Sequence, residues 1–140
     1  MNHTELVKTF YETVISQNQA ERIGEFVAPD CRLRIGEQFL PLGVTGMQEH
    51  LKATKTTYPD YIMRIIRQYT DGDYVISEFI MEGTHEGEWI GIQPTHKKLS
   101  FTGINIDKVS DCKIVEHGGT VNTFETLLTA DLITARSVNP

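Results

Sequence analysis

Apolar positions in the first sixty residues recur at helical spacing, and after Pro59 the pattern changes to a looser alternation. Leu6, Val7, Phe10, Tyr11 and Val14 form one stripe, which predicts an N-terminal helix capped by Thr4 or Asn2. "AERIGEFVAPD" reads as a second, shorter helix stopped by Pro29, and "CRLRIGEQFLPLG" as two short strands around Gly36. A third helix is expected from about Gly46 to Thr57, closed by Pro59. "YIMRIIRQYT", "DYVISEFIMEGTH", "KLSFTGINIDKV" and "KIVEHGGTV" are rich in β-branched and aromatic residues and predict four strands. "TDGD" at 70–73 and "SDCK" at 110–113 sit where tight hairpin turns belong. "EGEWIGIQPTH" is a wide connection, "TFETLLTADLI" is a short helix or a last apolar strand, and "ARSVNP" is expected to fray.

Helices first and a meander of long strands afterwards is an α+β layout, here a single domain spanning 1–140. A strongly curved antiparallel sheet with the N-terminal helices on its concave face makes a conical barrel, apolar inside and open at one end. Composition narrows the partners. A net charge of −6 with dispersed basic residues argues against nucleic acid. No apolar run reaches a membrane span, and the N-terminus lacks a signal pattern. Cys31 and Cys112 form no metal or CxxC spacing and read as reduced residues of a cytoplasmic protein.

One segment is more specific. Thr84-His85, Gly87-x-Trp89-x-Gly91, Pro94-Thr95 and then Lys113-Ile114-x-Glu116-His117 resemble the SnoaL-like polyketide cyclases of the nuclear-transport-factor-2-like superfamily. The helix order and Pro29-Asp30 fit the same family, so the resemblance covers nearly the whole chain. It implies a conical α+β barrel, a homodimer joined through the outer face of the sheet, and cofactor-free, metal-free chemistry on a small hydrophobic molecule. In such cyclases an aspartate on the last strand removes a proton alpha to a carbonyl, and nearby polar groups stabilise the enolate. Carried onto this chain, that aspartate falls at Gly119, its polar partner at Asn105, a further acidic position at Asn122, and the glycine of Pro-Thr-Gly at His96.

The double glycine at 118–119 therefore stands where an acid is expected, and His117 becomes the candidate base. Strand alternation sets Val115, His117 and Gly119 on one face, and Phe101, Gly103 and Asn105 on one face of the neighbouring strand. Asn105, Gly119, Phe101, Trp89, Tyr11 and His85 are the candidate ligand-binding residues. Each has a plainer role: Tyr11 as a hydrogen-bonded core residue, Trp89 as a loop anchor, His85 as a loop pin, His117 as a partner of a nearby carboxyl or backbone group. Either Glu78 and Glu82 or Ser77, Phe79 and Met81 face the interior; the alternation does not choose. Asp107 is expected at the rim and His50 on a solvated helix face. Two readings follow: a cofactor-free cyclase or isomerase using His117, and a non-catalytic binding module on the same fold.

Overall fold

In the computed structural model, which describes residues 1–134, the first helix opens on Asn2. The Asn2 side-chain oxygen accepts from the Glu5 backbone N–H at 2.8 Å, and the Glu5 carboxylate accepts in turn from the Asn2 backbone N–H at 3.3 Å, so Asn2 rather than Thr4 is the cap. Helix α1, His3–Thr9, runs straight into a π-helical turn, Phe10–Ile15. There the Ser16 N–H donates to the Tyr11 carbonyl five residues back at 3.1 Å. The Ser16 hydroxyl reinforces that carbonyl at 2.9 Å and accepts from the Met63 N–H at 2.8 Å. Glu12 accepts from the Ile65 N–H at 2.8 Å. The wide turn is thus stitched to the sheet, and it buries Phe10, Tyr11, Val14 and Ile15 together.

The second helix is shorter than its pattern suggested. A 3₁₀ turn, Ala20–Arg22, leads into α2, Ile23–Phe26, and Val27–Ile35 is already strand β1. Pro29 lies inside that strand, not at a helix stop. The β1–β6 register is interrupted between Val27 and Arg32, which is where a residue without an N–H can be placed. Gly36 turns the chain into β2, Gln38–Pro41, and α3 follows as Gly43–Thr57. Gly43 starts that helix at φ +63°, and a Cβ there would lie 2.8 Å from the Pro29 carbonyl oxygen.

After Pro59 come β3, Ile62–Asp71; β4, Tyr74–Thr84; β5, Lys98–Ser110; and β6, Lys113–Val121. Gly72 at φ +60° closes the first hairpin. Asp111 and Cys112, both at positive φ, close the last one as a primed turn built without glycine. The six strands run in the order β2-β1-β6-β5-β4-β3. All neighbours are antiparallel except β1 and β6, so the sheet is mixed; it curls without closing. Helix α4, Thr123–Thr129, capped by Asn122, settles the helix-or-strand alternative for the C-terminal segment. The expectation of fraying at 135–140 lies outside the described residues. No helix among the described residues is long and apolar enough to cross a membrane.

Val75, Ser77 and Phe79 on β4 are buried inward with Met81 beside them, while Glu78 and Glu82 face out and pair with Arg67 and Lys98. On β6 the alternation is broken. Val109 pairs with Ile114 and Lys108 with Glu116, which leaves Val115 as the extra residue of a bulge. Ile114 and His117 consequently both point inward, and Val115, unpaired and partly buried, also packs against the core.

Candidate functional site

Between the curled sheet and the helices lies a cavity of about 370 Å³. That volume falls within the range of small-molecule sites. Its deep wall is Tyr11 and Ile15 from the π turn, Tyr61 and Met63 from β3 and the residues before it, Phe79 from β4, and Phe101 and Asn105 from β5. Its open side runs along α3, from Met47 and His50 to Thr57, and faces Val121 and Thr123. Among the described residues lining it, none is an aspartate, glutamate, lysine or arginine.

The inner face of the sheet sets the polar groups by cross-strand register. Asp107 of β5 is paired with His117 of β6, and Asn105 with Gly119 two residues along. Asp107 is fully buried, not a rim residue, and both its oxygens are used. The Tyr11 hydroxyl donates to Oδ2 at 2.6 Å, and His117 Nδ1 lies 2.7 Å from Oδ1. The rim assignment fails because β5 runs on to Ser110 and because the π turn carries Tyr11 across Asp107. Tyr11, Asp107 and His117 thus form one compact cluster, with the Tyr11 oxygen also 3.1 Å from His117 Nδ1. Burial first, and the Asp107 charge second, push the Tyr11 phenol well above its ordinary value, so it is a permanent donor. With Nδ1–H given to the carboxylate, His117 presents Nε2 as the nitrogen with a free lone pair.

Asn105 is buried against Gly119. Among the described residues nothing hydrogen-bonds its amide, which lines the cavity. A Cβ on Gly119 would overlap that amide and sit 2.6 Å from the Ile104 carbonyl oxygen. The glycine is therefore the price of close approach between β5 and β6, and the Asn105 amide fills the space where a side chain at 119 would go. Gly119 itself is exposed and is not part of the cavity wall. Gly118 points the other way, under Arg34.

His85 is also not brought to the wall. It is fully buried, with Nδ1 3.1 Å from the Thr95 hydroxyl and its backbone N–H bonded to Lys97, and so it pins the 85–97 connection. Its Nε2 and the neighbouring Tyr58 hydroxyl are buried without a partner. Trp89 both anchors that connection and walls the cavity, packed edge-on to Tyr58 and Phe101 with ring centroids 5.9 and 5.5 Å away. Burial raises the Tyr58 phenol to about 12. Of the candidates from sequence, the structure brings Tyr11, Trp89, Phe101, Asn105 and His117 to one cavity. Asp107 was misplaced, while His50 is exposed as expected and also borders the cavity. Asp107 is in phase with Asn105, and its nearness to the strand end suggested the rim; helical spacing from Met47 is the signal that brings His50 to the cavity. No group of three or more His, Cys, Asp or Glu close enough for a metal ion occurs among the described residues.

A curled α+β cone with a largely apolar cavity and a few converging polar groups defines the class. The chain belongs to the SnoaL-like polyketide cyclase family, whose sequence pattern matches residues 5–128. Comparison with curated proteins gives no match. Solved structures share the fold. IdmH from Streptomyces antibioticus, a candidate polyketide cyclase, is 23% identical, with a TM-score of 0.79 over 95% of this chain and 100% of that one. A candidate polyketide cyclase from Acidithiobacillus ferrooxidans gives 0.81 at 18% identity, over 96% and 97% of the two chains. AclR from Streptomyces galilaeus, a candidate hydroxylase, gives 0.79 at 19% identity, over 94% and 97%. At such identities the likeness concerns the fold alone, and the names of these proteins cover more than one reaction.

Proposed function

We propose that the protein binds an uncharged, hydrophobic, carbonyl-bearing small molecule in the cone and acts on it by cofactor-free acid–base chemistry of the cyclase or isomerase type. The observation that supports this is the Tyr11–Asp107–His117 cluster at the cavity wall. His117 Nε2 takes a proton from the carbon alpha to the ligand carbonyl. Asp107 holds the ring in the required tautomer and offsets the positive charge that forms on it. The Asn105 amide donates to the carbonyl oxygen as negative charge develops there. In this way the chain replaces the acid missing at 119 with a histidine backed by a carboxylate one strand over. The absence of charged side chains from the lining favours a neutral ligand, since an unpaired charge in an apolar cavity is costly.

The molecule works as a homodimer joined through the outer face of the sheet, where Ile62, Ile66 and Ile104 are exposed, and in a reducing cytoplasm that keeps Cys31 and Cys112 as free thiols. Gly119 favours the second reading, a binding module without turnover. The two are separated with a neutral polyketide methyl ester, with binding read from Trp89 fluorescence. If His117 is the base, His117→Ala lowers turnover by about 10²–10⁴-fold with affinity changed no more than about twofold, and Asp107→Asn lowers turnover as well. Turnover that survives His117→Ala refutes the assignment, and wild-type binding without turnover selects the binding module.

A further inference from the structure

Not all polar groups of the cavity lie on its inner wall. Met47, Leu51, Thr54 and Tyr58 form the stripe that α3 and its C-cap turn toward the cavity, and His50 belongs to that stripe, one turn from both Met47 and Thr54. His50 is therefore both an exposed residue and part of the cavity mouth. Thr54 donates to its backbone carbonyl at 3.0 Å, but no described residue hydrogen-bonds its ring. His117 lines the same cavity from β6.

We infer that His50 is a ligand-contacting residue that receives, at the cavity mouth, a second oxygen function of an uncharged ligand whose first oxygen lies against Asn105 and His117. The inference rests on the proposed function for that first oxygen. It adds a substrate class: a neutral, largely apolar molecule oxygenated at both ends.

Three observations carry it. The ring, exposed and bonded by no described residue, stands on the rim of a cavity that is otherwise apolar or hydroxyl-bearing along α3. Its pKa is pushed below the ordinary histidine value, first by the cavity wall that shields part of an otherwise exposed ring and second by His117. A neutral imidazole both donates and accepts, so it suits a hydroxyl or a carbonyl and has no preference for a carboxylate. Finally, a cavity of about 370 Å³ has room for a bicyclic ligand, and its lining includes both the inner wall and the rim.

Trp89 is the only tryptophan and lines the cavity, so its fluorescence reports occupancy. The probes are 2-naphthol, with one oxygen, and the 2,6- and 2,7-naphthalenediols, with two. On the wild-type protein at least one diol should bind about three- to tenfold more tightly than 2-naphthol, the yield of one net hydrogen bond. In His50→Ala the diol-to-naphthol affinity ratio should fall to about one, and His50→Gln, which keeps a donor and an acceptor, should restore part of it. A ratio near one for both diols on the wild type, or a ratio that persists in His50→Ala, overturns the inference while leaving the pocket reading intact. If 2-naphthol does not perturb Trp89 at all, the pocket reading fails and takes the inference with it.

Discussion

Two residues show how little of a side chain's role lies in its identity alone. Gly119 and Tyr58 both sit beside the cavity, and opposite things hold them in place. Gly119 is required by backbone: a methyl group there meets the Ile104 carbonyl oxygen and the Asn105 amide. Gly119→Ala should therefore lower stability by about 1–3 kcal/mol, the usual cost of overpacking, and Gly119→Asp would disturb the inner wall before adding any base. Tyr58 carries a buried hydroxyl with no partner, so Tyr58→Phe removes an uncompensated polar group and should be neutral or stabilising. Urea midpoints of the two variants test this directly, and a Tyr58→Phe variant less stable than Gly119→Ala would contradict the geometry. From sequence, Gly119 was legible only as an absence. That it is a packing necessity depends on how closely one strand approaches its neighbour, which no local pattern records.

At the scale of elements, what repeats locally was legible and what depends on a partner strand was not. The apolar stripe of α1, the Asp-Gly turn and the four strands after Pro59 follow from periodicity and turn chemistry, and all are present. Pro29 read as a helix stop because the rule for proline is local, whereas its actual place depends on a gap in the β1–β6 ladder. The bulge at Val115 changes which residues accompany His117, and it is set by pairing with β5. Asp107 was misplaced for the same reason: its burial comes from Tyr11, ninety-six positions away along the chain. The outer face of the sheet raises a question of the same kind. Ile62 of β3 and Ile104 of β5 are 51% and 41% exposed, an apolar surface that a second copy would cover. Sedimentation of the wild type should give a dimer, and Ile104→Lys should shift it toward monomer with the cavity's affinity for 2-naphthol retained. A wild-type monomer at tens of micromolar would remove the dimer.

On the scale of the whole molecule, the cavity and the core beneath it share their phenols. Tyr11, Tyr58 and Tyr61 are all buried, and burial raises each of them, Tyr58 to about 12. Cys31 is raised to about 12, also chiefly by burial. For each, the folded chain keeps a proton that the unfolded chain releases, so the stability they share is intact below the ordinary values and lost as pH rises through the raised ones. Cys31 begins that loss near pH 8.5 and the phenols from about pH 10. Lys55 works in the opposite sense. Its ammonium bonds the Ser16 and Tyr61 carbonyls at 3.0 and 2.6 Å, yet burial lowers its pKa, so over its own window the unfolded chain holds the extra proton and stability rises slightly with pH. One half-exposed lysine against three buried phenols and a thiol leaves the alkaline loss dominant. In an alkaline titration, phenolate absorbance from the buried tyrosines should therefore appear only together with collapse of the near-ultraviolet circular dichroism. Because Tyr11, Tyr58 and Tyr61 all line the cavity, 2-naphthol affinity should vanish in the same transition. Ionisation of all five tyrosines around pH 10 with the native spectrum unchanged would mean that these phenols are open to water, and that the sealed inner wall on which the site depends is not there.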